Sequence, residues 1–273
     1  IAYPILVPTL SAQIAYTMGF WNEYIPKASL FFMFIPAVAW LFTFTRRSLS
    51  FMVLLLLIPF SYYLFLWNGY MDGLLGLYLA IAMLLLGRFI RSSQLIDLVS
   101  SLVCLIVLLN IKNEGSLAAL IGFFLMIPVE FLNKKPYLLR NIFLTRWRYY
   151  LASLIVFLLP FALWTFYKQS WNISNGLEIG SVQSLSRIFG RLTDGSYKII
   201  FQRVYEQIEV ALLLLGLLYF ASIAWNYSFH LVQESIPALA MAGMYGLGMI
   251  VFYLQTPHDL DWHLNTSLHR VML

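Results

Sequence analysis

Eight apolar stretches separated by short polar connections constrain this chain more than any other feature; they run over residues 27–44, 51–67, 73–87, 95–111, 116–132, 149–167, 208–225 and 235–254. Most approach the roughly 20 residues that a helix needs to cross the hydrocarbon of a bilayer. Runs at this density leave little room for a soluble fold, because each would need partners around its whole circumference. Composition agrees, with 61% hydrophobic and 11% charged residues, against about a quarter charged in soluble domains. The expected fold is therefore an all-α integral membrane protein, a single domain over 1–273 with about eight transmembrane helices and short interfacial helices. Segment 73–87 is the shortest and leaves little room for tilt.

The net charge of +5 does not point to nucleic acid, because the cations are sorted by connection. Arg46, Arg47, Arg88, Arg91, Lys134, Lys135, Arg140, Arg146 and Arg148 all fall on alternate connections, which makes that side cytoplasmic. The basic, aromatic loop 133–148 then contacts anionic lipid headgroups rather than RNA. The outer segments become 1–26, 68–72, 112–115, 168–207 and 255–273. They hold Glu23, Asp72, Glu114, Glu178, Asp194, Glu206, Asp259 and Asp261, which is most of the acid in the chain. The remaining acids, Asp97, Glu130, Glu209 and Glu234, lie near span ends, where solvated or snorkelling positions are expected.

Several outer segments carry chemistry. Pro4 and Pro8 close to each other favour a short interfacial helix beginning near Pro8. Glu23 follows Trp21, an ordinary interfacial anchor; it is either solvated or a contact for a substrate hydroxyl or cation. Asp72 between Gly69 and Gly73 reads as an Asx turn that caps the next helix and sets one carboxylate at the membrane surface. Lys112-Asn113-Glu114-Gly115 breaks what would otherwise be one apolar stretch, a break tolerated only where the backbone is buried in protein or lines a wet cavity. Lys112 either pairs locally with Glu114 or points at an anion such as a lipid phosphate. In the long segment 168–207, Val182, Leu185, Ile188, Phe189 and Leu192 recur at helical spacing while Arg187 and Arg191 lie on another face. That pattern fits either a plain amphipathic connector or an interfacial helix that gathers a phosphate-bearing lipid.

The closing stretch Gln255–Arg270 is the most titratable, with three of the four histidines, His258, His263 and His269, beside Asp259 and Asp261. One reading is a zinc or manganese site; the spacing matches no dedicated ligand pattern, and no metal is assigned. Another is a capped juxtamembrane helix with Trp262 at the interface. A third is an acid-base and anion-binding wall. Cys104, the single cysteine, lies in an apolar run and reads as a filler. Phosphate-loop, dinucleotide, zinc-protease and serine-hydrolase signatures are absent, and no cofactor is expected. The chain opens at Ile1 without a methionine, so a missing N-terminal span and missing sequence at both ends are expected.

Three patterns together resemble bacterial multi-span GT-C glycosyltransferases, relatives of the protein mannosyltransferase and aminoarabinose transferase superfamily. They are Tyr3-Pro4-Ile5-Leu6-Val7-Pro8 with Trp21-Asn22-Glu23, Ile111-Lys112-Asn113-Glu114-Gly115, and the run from Thr256 to Ser267. The resemblance implies a GT-C-like fold and an inverting transferase in the bacterial cytoplasmic membrane. It also implies a polyprenyl-phosphate-linked sugar donor and a glycan or lipid acceptor, met on the extracytoplasmic face. Such enzymes usually carry a catalytic acid in their first outer loop, whose start is expected to lie before Ile1.

The residues themselves supply compatible chemistry. Inverting glycosyl transfer needs a carboxylate to take the acceptor proton and cations to steady the departing phosphate. Asp72, Glu114, Asp259 and Asp261 are the candidate carboxylates. Lys112 and Arg270 are candidate cations, His258 and His263 can hydrogen-bond phosphate, and Glu23, Trp262, Arg187 and Arg191 complete the expected binding set. An O-antigen-type polymerase or ligase leaning on Arg187 and Arg191 is the alternative, with a transporter behind it. In either case Glu23, Asp72, Lys112-Glu114 and the tail are expected to converge.

Overall fold

The computed structural model describes residues 6–20, 24–44, 71–132, 147–173, 182–226 and 229–271. Among them every regular element is a helix: α1 (Leu6–Met18), α2 (Ile25–Thr43), α3 (Asp72–Ser92), α4 (Leu95–Ile111), α5 (Asn113–Leu132), α6 (Trp147–Ser170), α7 (Val182–Thr193), α8 (Ser196–Asn226), α9 (Phe229–Gln255) and α10 (Leu260–Val271). Helices satisfy their own backbone along an apolar segment, so a chain this poor in polar side chains has few alternatives.

Four helices are long and apolar enough to cross a membrane, over Asp72–Ser92, Asn113–Glu130, Leu151–Ser170 and Gln233–Gln255. This set fits a multi-pass membrane protein; among the described residues it accounts for four of the eight expected spans. The apolar parts of α2 and α4, Ser29–Thr43 and Leu95–Ile111, are helical but shorter. Residues 51–67 lie outside the described residues. The run at 208–225 sits inside α8, a helix of 31 residues that starts at Ser196. Hydropathy marks only the apolar half of such a helix. Its polar first turns are held instead by side-chain pairs one turn apart, Gln202 to Glu206 at 2.9 Å and Arg203 to Glu206 at 3.5 Å. Segment 73–87, expected to be the shortest, belongs to a helix of 21 residues.

The centre of the bundle is the antiparallel trio α3, α4 and α5, with α9 packed against α3 and α5. Within its span α3 is 61% buried while α6 is 11% buried, so α3 is the internal strut and α6 a peripheral helix. Leu74, Ile81, Leu85 and Leu86 of α3 meet Leu105 and Leu108 of α4 in the main core. A smaller core joins Ile200 and Val204 of α8, Met249 and Tyr253 of α9, and Leu264 and Leu268 of α10. Leu117 and Tyr245 pack against both.

Two joints set the geometry. Ser93 takes a left-handed conformation (φ 55°) after α3 and its N–H donates to the Phe89 carbonyl at 2.9 Å, which closes the α3 C-terminus and lets α4 return at once. At the other end Lys112 alone separates α4 from α5, in an extended conformation. Gly115 makes that hairpin feasible, because a Cβ there would lie 2.2 Å from the Leu108 carbonyl oxygen. Likewise a Cβ on Gly87 would lie 2.1 Å from the Glu234 carbonyl oxygen, so α3 and α9 approach as closely as backbones allow. The expected interfacial helix near Pro8 is α1, beginning at Leu6.

Candidate functional site

The polar centre of the molecule lies where α3 begins and α4 turns into α5. Asp72 occupies the first turn of α3 rather than a capping position; no side chain caps that helix. Its carboxylate instead meets Lys112, with Nζ at 2.6 Å from Asp72 Oδ1 and 3.3 Å from Glu114 Oε1. The side chains of Asp72, Lys112 and Glu114 are 6%, 12% and 20% exposed. Burial alone would depress the Lys112 ammonium, but Glu114 and Asp72 outweigh it and hold the pKa above the ordinary lysine value. Lys112 is thus a fixed cation, and both sequence alternatives for it are refined: it pairs with Glu114 locally and with Asp72 across the bundle.

One cation between two carboxylates leaves acceptor capacity over. Asp72 Oδ2 and Glu114 Oε2 are both buried and neither has a hydrogen-bond partner. A buried acceptor without a donor costs about 1–3 kcal/mol, and among the described residues these are the two carboxylate oxygens so placed. Tyr245 of α9 interacts electrostatically with both carboxylates, and it is a site neighbour that sequence reasoning missed, being one of 17 tyrosines.

The tail forms a second polar group. Asp259 caps α10, its Oδ1 accepting from Trp262 N at 2.9 Å. Buried Thr256 bonds His263, Oγ1 to Nδ1 at 2.7 Å, and accepts from His258 N at 3.3 Å. Burial first, then His258 and Arg191, push the His263 pKa below its ordinary value, so the ring is neutral near pH 7. Phe252, Tyr253, His258 and Trp262 rings surround it. Tyr253 OH and Ser267 Oγ, 2.8 Å apart, tie α9 to α10.

Arg187 and Arg191 are placed differently from a lipid-gathering pair. Arg187 Nε donates to the Gln255 carbonyl at 2.9 Å, and Arg191 donates to the carbonyls of Tyr253 and His258. They close the C-terminal end of α9, where helix carbonyls lack intrahelical donors.

Of the segments expected to converge, Asp72, Lys112-Glu114 and the tail share one end of the bundle. Gly87 near the end of α3 meets Glu234 near the start of α9, so the two run antiparallel, and the C-terminal end of α9 with the tail shares the Asp72 end. The direct contact does not form. Among the described residues no hydrogen bond or ion pair joins Asp72, Lys112 or Glu114 to His258, Asp259, Asp261 or His263; Tyr245 and Leu117 lie between the cores beneath them. Asp261 and Trp262 are exposed, Arg270 lies on α10, and Glu23 lies outside the described residues. Of the acids expected to be solvated or snorkelling, two are corrected: Asp97 is 1% exposed and bound by Arg88 and Ser92, and Glu130 is buried. Glu234 keeps 24% exposure in its pair with Arg91 at 3.0 Å, and Glu209 is half-buried.

Among the described residues no three His, Cys, Asp or Glu side chains are grouped to hold a metal ion. Comparison with protein-family models, with curated proteins and with solved structures finds no match to this chain.

Proposed function

We propose that the chain is a membrane glycosyltransferase. It moves a sugar from a polyprenyl-phosphate-linked donor to an acceptor hydroxyl at the Asp72 end of the bundle, on the extracytoplasmic face of a bacterial cytoplasmic membrane. One observation carries the reading: the Asp72–Lys112–Glu114 cluster, sheltered among apolar helices, retains two buried carboxylate oxygens without donors. Such oxygens are suited to hydroxyl groups, which are donors that every sugar or glycan acceptor brings.

In this mechanism Asp72 Oδ2 takes the acceptor proton as the hydroxyl oxygen bonds to the sugar C1, and the bond from C1 to the phosphate oxygen breaks with its electron pair going to the phosphate. Lys112 holds Asp72 in place through Oδ1 and offers its charge to the leaving phosphate. Glu114 shares the ammonium and accepts a second hydroxyl, fixing the acceptor. The neutral imidazole of His263 and the ring of Trp262 supply the outer wall of the same bundle end. The polymerase alternative leaned on Arg187 and Arg191, and the carbonyl bonds of both favour a structural role for them.

The test is sugar transfer in membranes supplied with polyprenyl-phosphate sugars, for Asp72→Asn and Glu114→Gln, with helical content followed by circular dichroism. Loss of about a hundredfold or more in folded Asp72→Asn is expected. Full activity in both variants would remove the basis of the assignment.

A further inference from the structure

Helix α7 presents three distinct arcs. Helical geometry places Ser184, Arg187 and Arg191 on the arc against the protein, where Ser184 is 1% exposed and the arginines bond the end of α9. Gln183, Ser186 and Gly190 occupy a second arc, which is polar and exposed. The third arc is Val182, Leu185, Phe189 and Leu192, spaced three, four and three residues apart and 84%, 54%, 67% and 46% exposed. The amphipathic order is therefore turned around relative to a soluble surface helix, which buries its apolar face against the core. Here Ser184 and the two arginines, with Ile188 beside them on the smaller core, hold the protein, and the other four apolar residues are left open.

We propose that this apolar arc docks into the acyl-headgroup boundary of the bilayer, with α7 lying in the membrane plane at the level where α9 ends. Three observations favour lipid as the occupant. The arginines attach α7 to Tyr253 and Gln255, in the last turn of a helix long enough to span, which sets its depth at the interface. Arg187 and Arg191 are the only charged residues in the helix, and both face inward, so the open arc carries no charge to desolvate. The polar arc stands beside the apolar one rather than opposite it, as an in-plane helix requires if one flank meets water while another meets acyl chains. The proposal goes beyond the transferase reading and rests only on the span-like helices.

Site-directed spin labelling tests it without any activity assay. Cys104, the single cysteine of the chain, is buried, so it is replaced by alanine, and single cysteines are introduced by Val182→Cys, Phe189→Cys and Gln183→Cys. The labelled chain is reconstituted in vesicles of phosphatidylcholine and phosphatidylglycerol. Nitroxides at positions 182 and 189 should relax with oxygen and be shielded from a water-soluble nickel chelate, while the label at 183 shows the reverse preference. Position 182 touches little else, so its label reports even where Phe189→Cys disturbs folding. Equal nickel access at 182, 189 and 183 would place the arc in water and overturn the proposal. Shielding from both reagents, or dipolar broadening between copies, would show a protein partner or second copy on the arc, with the same consequence.

Discussion

The two ends of the α3–α4–α5 bundle handle buried charge in opposite ways. At the turn between α3 and α4, Asp97 receives Arg88 Nε at 2.8 Å on Oδ1 and Ser92 Oγ at 2.7 Å on Oδ2, and both its oxygens are satisfied. A further pair, Arg91 with Glu234, ties the same end to α9. At the opposite end two acids share one lysine, and one oxygen of each is left over. Buried polar groups are normally fully partnered. The saturated end is therefore construction, and the unsaturated end is where a ligand has something to complete. The same chain also contrasts α6, which buries little of its span beyond Phe157, with α3, whose span closes the core.

The contrast breaks most decisively at Asp72. Replacing it with Asn is expected to lower sugar transfer about a hundredfold to ten-thousandfold with a smaller loss of unfolding temperature than Asp97→Ala, because Glu114 still pairs Lys112, measured in membranes and by thermal melts in detergent. A loss of fold that matches the loss of activity would make this end structural as well. Asp97→Ala should behave inversely. It removes a carboxylate that is 2% exposed and strands Arg88, which is 24% exposed; loss of one partner from a buried pair costs up to about 3 kcal/mol. Transfer per folded molecule stays near wild type; an unchanged melting temperature would mean that the Arg88 cluster is no anchor.

Gly87→Ala probes the α3–α9 contact that fixes which end the tail shares. A Cβ 2.1 Å from the Glu234 carbonyl oxygen forces the helices apart, at a cost of about 1–3 kcal/mol, readable as a lowered melting temperature. If the variant melts like wild type, the close approach is not what sets the register.

The smallest expected effect concerns pH. The pKa of His263 is lowered in the folded protein, mainly by burial, so the unfolded tail binds a proton more readily than the folded one. Its contribution to stability is full above the ordinary histidine value near 6.5 and is lost as pH falls below that toward the folded pKa. The protection of α10 amides against hydrogen exchange, each rate taken relative to its intrinsic value at that pH, should fall over that range, and His263→Gln should flatten the dependence. Equal loss of protection in the variant would assign the effect to another group.

Much of this was legible in residue order. Lys112-Asn113-Glu114-Gly115 announced itself as a break in an apolar run, and the break is the α4–α5 turn. Asp72 stood out as an acid at a span edge, though its partner 40 positions away left no local trace. Arg187 and Arg191 were recognisable as one face of a helix, but which surface that face would meet depended on where α9 ends. Asp97 read as solvated because sequence shows an acid near a span end and not the arginine packed against it.

What the amino-acid order determined by itself is the class of structure: apolar runs in a chain with 11% charged residues must satisfy their backbone internally, and helices do so locally. Tertiary structure alone decided which charges are complete. Hydrogen bonding is a matter of a few ångströms between side chains from different helices. Only the antiparallel docking of α3, α4 and α5, with α9 against them, could saturate Asp97 at one end and leave Asp72 and Glu114 with open oxygens at the other.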